Sequence, residues 1–242
     1  MSQPHLAWKR ILLKISGEGM CKPGGFGIDP DEVDFVASET SAVHKMGVQL
    51  ALVVGGGNIV RGSTFAERGV NKASADQMGM LATVINALAL QSSLESKFDV
   101  EVRVMTAINM DDVAEPYIRR RAIRHLETGK MVILAAGTGN PYFTTDTAAA
   151  LRACEIGCEV LLKATKVDGV FNADPVRNPD AVKYDHLNFM KVLRDRLRVM
   201  DSTAISMCMD NNLPIIVFNL KKQGNIRSVI TGEKVGTLVN GD

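Results

Sequence analysis

The sequence predicts an α/β fold, a three-layer sandwich in which a mainly parallel open sheet lies between two layers of helices (an αβα arrangement). Short apolar segments of strand length alternate with segments whose apolar residues recur at helical spacing. Glycine-bearing turns follow several of the predicted strands, as is common where parallel strands lead into helices. The 242 residues contain no proline- or serine-rich linker and no internal repeat, so we expect one domain over residues 1–242.

Seven segments have the length and composition of strands. Each is a short run of mainly apolar residues bounded by polar residues or glycine. The run VQLALVV is wholly apolar in its second half, as expected of a central parallel strand that is buried on both faces. The predicted strands cover residues 10–15, 48–54, 102–106, 132–134, 159–164, 215–218 and 236–239.

The helix after the first strand has clear start and stop signals. Asp29 can cap it, Pro30 occupies its first position, and Glu32 completes a capping-box pattern. Gly47 supplies the C-terminal stop. These signals predict a helix that begins directly after Asp29 and ends before Gly47.

The longest predicted helix covers residues 73–97. Its apolar residues recur at helical spacing and predict one buried stripe formed by Met78, Leu81, Ala82, Ile85, Leu88 and Ala89. Further helices are predicted at residues 118–128, from the central loop to Gly157, at 187–197 and at 201–211.

Composition and charge exclude several classes of protein. With 46% hydrophobic and 23% charged residues, the chain is typical of a globular protein with a substantial core. A net charge of +1 gives no general attraction to nucleic acid, and no apolar run is long enough to cross a membrane. The first ten residues lack the apolar core of a signal peptide, so we expect a cytoplasmic protein.

The four cysteines do not form a CxxC pair. Cys154 and Cys158 are four residues apart and could in principle share a metal, but buried free thiols are the favoured interpretation. We therefore predict no metal site formed by the protein's own side chains.

The stretch 131–151 combines a buried strand, a glycine-rich loop and the start of a helix. Backbone N–H groups and a helix N-terminus at such a turn favour an anion, and Gly137 and Gly139 let the backbone approach a ligand closely. Three threonines add hydroxyl groups, and Asp146 places a carboxylate at the helix start. A carboxylate beside a polyanion needs a cation between them, which points to phosphate chemistry. The alternative is an ordinary strand-to-helix turn whose threonines cap the helix.

Four glycine-bearing loops are expected at the same edge of the sheet, because the carboxyl ends of parallel strands meet there. Together they predict a pocket large enough for two anionic ligands. No GxxxxGK[ST] motif occurs, and no GxGxxG follows a strand, so the cations must come from elsewhere. Lys14, at the end of the first strand, and Arg61 are the best placed. The loops are residues 16–19, 55–58, 137–140 and 168–169.

Five motifs occur in a characteristic order. They are KISG at 14–17, VVGGGN at 53–58 with Arg61, Asp76 ahead of GMLA, GTGNPYFTTD at 137–146, and KATKVDGVF at 163–171 with Asp174-Pro175. From about Lys9 to the end, the chain thus resembles the bacterial uridylate kinases of the amino-acid-kinase superfamily. Relatives that act on acetylglutamate, aspartate or carbamate share the fold and the triple glycine, but not this pair of longer motifs.

The resemblance implies phosphoryl transfer from MgATP to UMP, giving UDP and ADP in pyrimidine nucleotide biosynthesis, by a homohexamer. Mg²⁺ would arrive with ATP. Lys14, Arg61 and Asp146 are implied to be catalytic: the two cations neutralise phosphate charge, and Asp146 orients the lysine and the metal region. The residues implied to bind ATP, besides Lys14 and Arg61, are Ile15, Ser16, Gly17, Gly57, Thr165, Phe171 and Asp174. Those implied to bind UMP are Gly56, Asp76, Thr138, Gly139, Asn140, Pro141, Tyr142, Phe143, Thr144 and Thr145.

The resemblance also points to an effector region for GTP or UTP. It comprises the loop Lys22, Pro23, Gly24, Gly25, Phe26 and Gly27, together with Arg103 and Lys130. The sequence leaves open whether GTP activates, UTP inhibits, or neither acts.

Structural explanations also exist for the single residues. Lys14 could extend to solvent from a strand end. The role of Asp168 and Asp174 could be limited to shaping turns. The basic run from Arg119 to Arg124 is typical of a solvated helix face. A non-catalytic nucleotide sensor on the same fold would be expected to have lost Lys14 or Asp146. A kinase for a small carboxylate or carbamate remains the alternative enzyme, and Lys163 the alternative catalytic lysine.

Overall fold

In the computed structural model, which describes residues 5–175 and 177–241, nine strands form one sheet. In chain order the strands are β1 (Arg10–Ile15), β2 (Gln49–Val54), β3 (Val102–Thr106), β4 (Glu115–Pro116), β5 (Met131–Ala135), β6 (Val160–Thr165), β7 (Val170–Phe171), β8 (Lys183–Tyr184), β9 (His186–Asn188), β10 (Ile215–Asn219) and β11 (Thr237–Asn240). The sheet order is β4-β3-β5-β2-β1-β6-β10-β11-β9, and β7 and β8 pair separately. Neighbours in the sheet are parallel except for β10 and β11.

Helices cover both faces of this sheet. They are α1 (Pro30–His44), α2 (Gly62–Glu67), α3 (Lys72–Phe98), α4 (Arg119–Glu127), α5 (Thr145–Ile156), α6 (Phe189–Arg194), α7 (Ser202–Asp210) and α8 (Asn225–Ile230). Apolar residues of α1, α3 and α8 share one core cluster with the sheet, and those of α4, α5, α6 and α7 share the other. The predicted three-layer α/β sandwich with a mainly parallel sheet is confirmed.

The alternation of strand residues explains the two cores. Ile11 and Leu13 of β1 face the α1 side, whereas Leu12 faces the α5 side, and all three are fully buried. Because both faces of a central strand are covered, its sequence is a continuous apolar run rather than an alternating one.

The seven strands predicted from the sequence are all present. Each begins and ends within two residues of its predicted bounds.

The start of α1 confirms the predicted cap. The Asp29 carboxylate accepts hydrogen bonds from the N–H groups of Asp31 (3.1 Å) and Glu32 (3.3 Å). The expected capping box is not formed, because the Glu32 carboxylate binds Lys221 and the Asp29 N–H donates to the Met20 carbonyl. A side chain from a distant loop therefore replaces the local partner.

The bounds predicted for α3 are correct within one residue, but the predicted buried stripe is wrong at two of its six residues. Leu81 and Ile85 are each 49% exposed, whereas Ala82 is buried and Leu88 and Ala89 are partly buried against the core. The helix instead turns Thr83 and Asn86 inward, where they hydrogen bond to loops at the end of the sheet. Hydrophobic spacing cannot identify a buried face that includes such polar residues.

The helix predicted at residues 187–197 is in fact a short strand followed by a short helix. β9 ends at Asn188, whose side chain caps α6 by accepting from the Met190 N–H (2.7 Å). The helices α2 and α8, the pair β7–β8, strand β4 and a short 3₁₀ helix (Gly17–Met20) were not predicted. All are six residues or shorter, so their periodicity is too brief to detect.

The predicted free thiols are confirmed, with Cys21 and Cys208 buried and Cys154 and Cys158 partly buried. Burial raises the pKa of the Cys208 thiol to about 12. Over the described residues, no helix is long and apolar enough to cross a membrane.

Candidate active site

The four glycine-bearing loops follow β1, β2, β5 and β6, which are neighbours in the order β5-β2-β1-β6. Because these strands are parallel, their carboxyl ends place the loops side by side at one edge of the sheet. The strand that follows β1 in the chain, β2, lies on one side of β1 in the sheet, whereas β6 lies on its other side, so the strand order reverses direction at β1. A crevice at such a switch point is the usual ligand site of open α/β sheets.

The loops after β1 and β2 approach each other closely. A Cβ atom on Gly17 would lie 2.5 Å from Oδ1 of Asn58, and one on Gly55 would lie 2.7 Å from the Gly17 nitrogen. Asn58 is buried, and its Nδ2 donates to the Gly27 carbonyl (2.7 Å) and contacts Oδ1 of Asn86 (3.1 Å). These glycines are required by packing, which fixes the loop after Lys14.

Lys14, which is buried, forms a cluster with the partly buried Asp146 and Lys163, called here the Asp146 cluster. The ammonium group of Lys14 lies 2.7 Å from Oδ1 of Asp146, and that of Lys163 lies 2.5 Å from Oδ2. The strand register places Lys14 directly beside Lys163, on the same face as α5. Asp146 comes from the first turn of α5, above both strand ends.

The charges in the Asp146 cluster shift its ionisation equilibria. Burial would raise the pKa of Asp146, but the positive charges of Lys14 and Lys163 outweigh it and hold the pKa below its usual value. Burial lowers the pKa of Lys163, although the Asp146 carboxylate opposes the shift. With both lysines protonated the cluster carries an excess positive charge, which favours an anion next to it.

Asp201 ties the start of α5 to α7. The Thr144 hydroxyl accepts from the N–H groups of Asp146 (3.0 Å) and Thr147 (3.2 Å), and it donates to Asp201. Asp201 also accepts from the Thr147 hydroxyl (2.9 Å) and from the N–H of Ala204 (3.0 Å) at the start of α7. The interpretation of the threonines as helix caps thus holds for Thr144.

A cavity of about 200 Å³ lies between α3 and the loops after β2 and β5. Of the residues predicted to bind UMP it brings together Gly56, Asp76, Phe143, Thr144 and Thr145. It is also lined by Gly57, Val60, Gly62, Ala75, Gly79, Met80, Thr83 and Gly137.

The predicted residues from Thr138 to Tyr142 do not line this cavity and form the outer part of its loop. The Thr138 hydroxyl hydrogen bonds within that loop to Asn140, at 3.2 Å. The Tyr142 side chain is 67% exposed, but its N–H donates to Asp76 Oδ2 (2.8 Å). Lys72 also pairs with Asp76 (3.0 Å) and lies 5.4 Å above the Tyr142 ring. Asp76 therefore holds the loop against α3.

Glu18, Arg61 and Lys166 form a second cluster, the Glu18 cluster, at the rim of the crevice. The Glu18 carboxylate binds the Arg61 guanidinium (2.6 Å) and the Lys166 ammonium group (3.0 Å). The hydrogen bond from Lys166 is the main cause of a lowered Glu18 pKa. The three side chains follow β1, β2 and β6, so the rim spans the whole switch point.

The remaining residues predicted to bind ATP lie in two places. Ile15 is buried in the core and its carbonyl accepts from the Gly55 N–H (2.8 Å), and Ser16 and Gly17 follow it in the loop after β1. Thr165 ends β6, the strand on the other side of β1, and its hydroxyl donates to the Val167 carbonyl (2.7 Å). Phe171 lies in β7, and Asp174 beyond it lies 3.6 Å from Arg177.

Asp168 has a structural explanation. Its carboxylate binds Lys222 (2.8 Å) and the Asn219 amide (3.0 Å), and these hydrogen bonds lower its pKa. The loop after β6 is thereby fixed to the loop after β10. The basic run from Arg119 to Arg124 is exposed at all four arginines, as expected of a solvated helix face.

The structure does not bring the two predicted effector groups together. The loop of residues 22–27 lies beside the triple glycine, where the Gly27 N–H donates to the Asn58 carbonyl (2.7 Å). Arg103 and Lys130 lie at the amino ends of β3 and β5, and both bind Glu101. One group follows a strand and the other lies at strand starts, so they occupy opposite edges of the sheet.

The sequence does not predict all the residues that the structure places at the site. It identifies Lys163 only as an alternative to Lys14, because the two lysines are far apart in the chain. Glu18, Lys72, Lys166 and Asp201 were not predicted. The available signals were the position of Glu18 in the glycine-bearing loop of residues 16–19 and that of Lys166 in the KATKVDGVF motif.

The chain matches known proteins over nearly its whole length. The model of the amino acid kinase family matches residues 9–219. The structure is similar to the UMP kinase of Bacillus anthracis, with 42% identity, a TM-score of 0.94 and 97% of each chain covered. It is also similar to the UMP kinase of Ureaplasma parvum, with 37% identity, a TM-score of 0.89, and 96% of this chain and 98% of that chain covered.

The structure is also similar to the uridylate kinase of Archaeoglobus fulgidus, with 28% identity and a TM-score of 0.72. This match covers 95% of this chain and 99% of that chain. These matches confirm the resemblance to uridylate kinases on which the site residues were predicted. The chain belongs to the amino acid kinase family.

Proposed function

We propose that the protein transfers the γ-phosphoryl group of ATP to UMP, giving ADP and UDP, a step of pyrimidine nucleotide biosynthesis. The observation that carries the proposal is the Asp146 cluster, in which two lysines from β1 and β6 bind a carboxylate that directly follows Thr145, a residue lining the cavity that contains Asp76. The similarity to UMP kinases over 97% of the chain supports UMP as the acceptor.

The Asp146 cluster supplies what phosphoryl transfer requires. The reaction depends on alignment and on neutralising phosphate charge, more than on a covalent participant. Lys14 and Lys163 would place two positive charges beside the transferring group, and Asp146 would hold both in position. Because the pKa of Asp146 is lowered, it is a poor base. No strong base is needed, since the UMP phosphate is itself an anionic nucleophile.

We assign the ATP phosphates to the loops after β1 and β2. Ser16, Gly17 and Gly57 would offer backbone N–H groups, and Arg61 would exchange Glu18 for a phosphate. The adenosine end would lie toward Thr165, Phe171 and Asp174. Ile15 could contribute only through its backbone, because its side chain is in the core.

We assign UMP to the cavity lined by Asp76. The Asp76 carboxylate would accept hydrogen bonds from the ribose hydroxyls in place of the Tyr142 N–H and Lys72. The outer loop from Thr138 to Tyr142, released from Asp76, would then close over the base.

A divalent metal would be brought in by the nucleotide. Over the described residues, no group of three or more His, Cys, Asp or Glu side chains is arranged to hold a metal. Oδ1 of Asp146 is buried and lies 2.7 Å from the Lys14 ammonium group, but it accepts no hydrogen bond of ordinary geometry, so it could serve as a carboxylate ligand beside that lysine. Mg²⁺ typically takes one or two carboxylates plus substrate phosphates, and when bound it neutralises phosphate charge.

Assembly as a homohexamer belongs to the same proposal. Leu81 and Ile85 place two half-exposed apolar side chains one turn apart on α3, where burial against another subunit would be favourable. Light scattering at micromolar concentration tests the assembly, and a monomer would contradict it.

Control by GTP or UTP, if present, would use one of the two effector groups, since they lie on opposite edges of the sheet. An anion at Arg103 and Lys130 would have to displace Glu101. Activity measured with and without each nucleotide tests this control.

A coupled ADP-release assay with UMP, CMP, GMP, acetylglutamate, aspartate and carbamate tests the proposed activity. We expect kcat/KM for UMP to exceed that for CMP by at least about tenfold, because a buried mismatch of hydrogen-bonding groups is costly. Comparable values for UMP and CMP would leave a broad nucleotide kinase. Preference for a carboxylate or carbamate would replace the proposal, and no turnover of any acceptor would favour a nucleotide sensor.

A further inference from the structure

Arg152 is a buried cation that the proposed reaction does not use. It lies in α5, 6% exposed, and its NH1 group binds Glu155 (2.7 Å). Its guanidinium carbon lies 3.9 Å from the centre of the Tyr117 ring. The Tyr117 hydroxyl in turn donates to the same Glu155 oxygen (2.6 Å). Stacking, ion pair and hydroxyl together hold the guanidinium in one orientation.

The free side of this guanidinium points to the loop after β5. NH2 of Arg152 donates to the Gly137 carbonyl at 3.4 Å, a long hydrogen bond that can tighten when a ligand binds. Gly137 lines the cavity assigned to UMP and is the first glycine of its loop. Arg152 thus touches the backbone of the acceptor site without touching the cavity itself.

The backbone at this point needs external support. Ala136 and Gly137 both have φ of +61°, and Ala136 is not a glycine, so the left-handed conformation there is strained. The Ala136 N–H donates to the Thr83 hydroxyl (2.8 Å) on α3. Arg152 on α5 holds the following carbonyl from the opposite layer. The turn that aims the loop at the cavity is therefore held from both sides.

We propose that Arg152 is a positioning residue for the acceptor site, which it orients through the Gly137 carbonyl. The inference rests on the proposed function. A purely structural role is a weaker explanation, because a buried ion pair is seldom more stable than apolar residues of similar volume. A donor fixed by Glu155 and Tyr117 and aimed at a strained turn has a directional role that an apolar residue cannot supply.

The test compares Arg152→Met and Arg152→Lys with a matched control, Arg10→Met. Arg10 is also a largely buried arginine, and it donates to the Ile156 carbonyl (2.7 Å) at the other end of α5. For Arg152→Met we expect the KM for UMP to rise about tenfold, and the KM for ATP to change less than about twofold. Arg152→Lys should lie between wild type and Arg152→Met. Arg10→Met should lower the unfolding temperature without separating the two KM values.

Calorimetry of UMP binding should show the same weakening in Arg152→Met, independently of turnover. If Arg152→Met does not fold, Tyr117→Phe removes one restraint on Glu155, and it should raise the KM for UMP about two- to threefold. Equal changes in both KM values, or a loss of stability alone as in Arg10→Met, would overturn the proposal. Failure of wild type to use UMP would instead remove the proposed function, and the same comparison would then apply to whichever acceptor it phosphorylates.

Discussion

Two clusters at the switch point have the same set of charges, one carboxylate and two cations, but differ in their exposure to solvent. In the Asp146 cluster one carboxylate lies between two lysines, and the side chains of Lys14, Asp146 and Lys163 are 8%, 15% and 17% exposed. In the Glu18 cluster one carboxylate lies between Arg61 and Lys166, and the three side chains are 43–60% exposed. The two arrangements therefore differ chiefly in burial.

Burial determines what each arrangement can do. Removing one partner of a buried ion pair is strongly destabilising, because the remaining charge has neither water nor a counterion. Exposed ion pairs contribute only about 0–1 kcal/mol and exchange partners readily. We therefore infer that the Asp146 cluster is a fixed part of the catalytic site, whereas Glu18 holds its cations only until a nucleotide phosphate replaces it.

Asp146→Asn should have the largest effect on stability. An amide oxygen can accept from one lysine, but the amide N–H₂ would face the other, so both lysines lose their counterion. We expect the free energy of unfolding to fall by about 3–5 kcal/mol at neutral pH. We expect kcat to fall less than in Lys14→Met, because the amide can still accept a hydrogen bond from one lysine. Steady-state kinetics and denaturant titration measure the two effects.

The stability loss in Asp146→Asn should depend on pH in a defined direction. The folded-state pKa of Asp146 is lowered, so its contribution is fully present above its ordinary pKa of 3.8 and is lost as the pH falls through the folded value. Wild type and Asp146→Asn should therefore converge in stability at acid pH. A difference that stays constant down to low pH would show that the carboxylate charge is not the cause.

The second effect concerns Lys163 at alkaline pH. Because burial lowers the pKa of Lys163 from the ordinary lysine value of 10.5, its side chain should lose the ammonium charge at a pH below 10.5. In wild type we expect kcat to decline as the pH rises through this lowered pKa. In Lys163→Arg the decline should move to higher pH, since a guanidinium stays protonated. Lys166→Arg, at the exposed cluster, is the matched control and should leave the profile unchanged; a shift in both variants would contradict the assignment.

The smallest effect is expected for Glu18→Gln. Losing this carboxylate frees Arg61 and Lys166 for the ATP phosphates, so the KM for ATP should fall about two- to threefold, more so at low ionic strength. The unfolding temperature should change little. A higher KM for ATP would mean that Glu18 organises the two cations for the nucleotide, instead of competing with it.

The two clusters also show how far the sequence predicts the site. Lys14 and Asp146 could be identified because each lies in a distinctive local motif, and the strands and glycine loops were found because their signals are local. The place of Lys163 beside Lys14 depends on the pairing of β1 with β6, strands far apart in the chain. No local pattern contains that pairing.

The inward-facing Asn86 of α3 and the link from Asp201 to Thr144 were missed for the same reason. Both are polar contacts between distant segments, made by residues whose local pattern indicates only a helix position or a cap. The exposed Leu81 and Ile85 are the converse, apolar residues that helical spacing wrongly assigned to the core.

The most direct test of the central claim is kcat in Lys14→Met, measured with UMP binding on the same preparation. The substitution keeps most of the apolar stem and removes the charge. The account predicts a fall in kcat of about two to four orders of magnitude, with the UMP dissociation constant nearly unchanged, because Lys14 serves the transferring phosphate. Near-wild-type kcat would contradict the account, and the catalytic role would pass to Lys163 or Arg61.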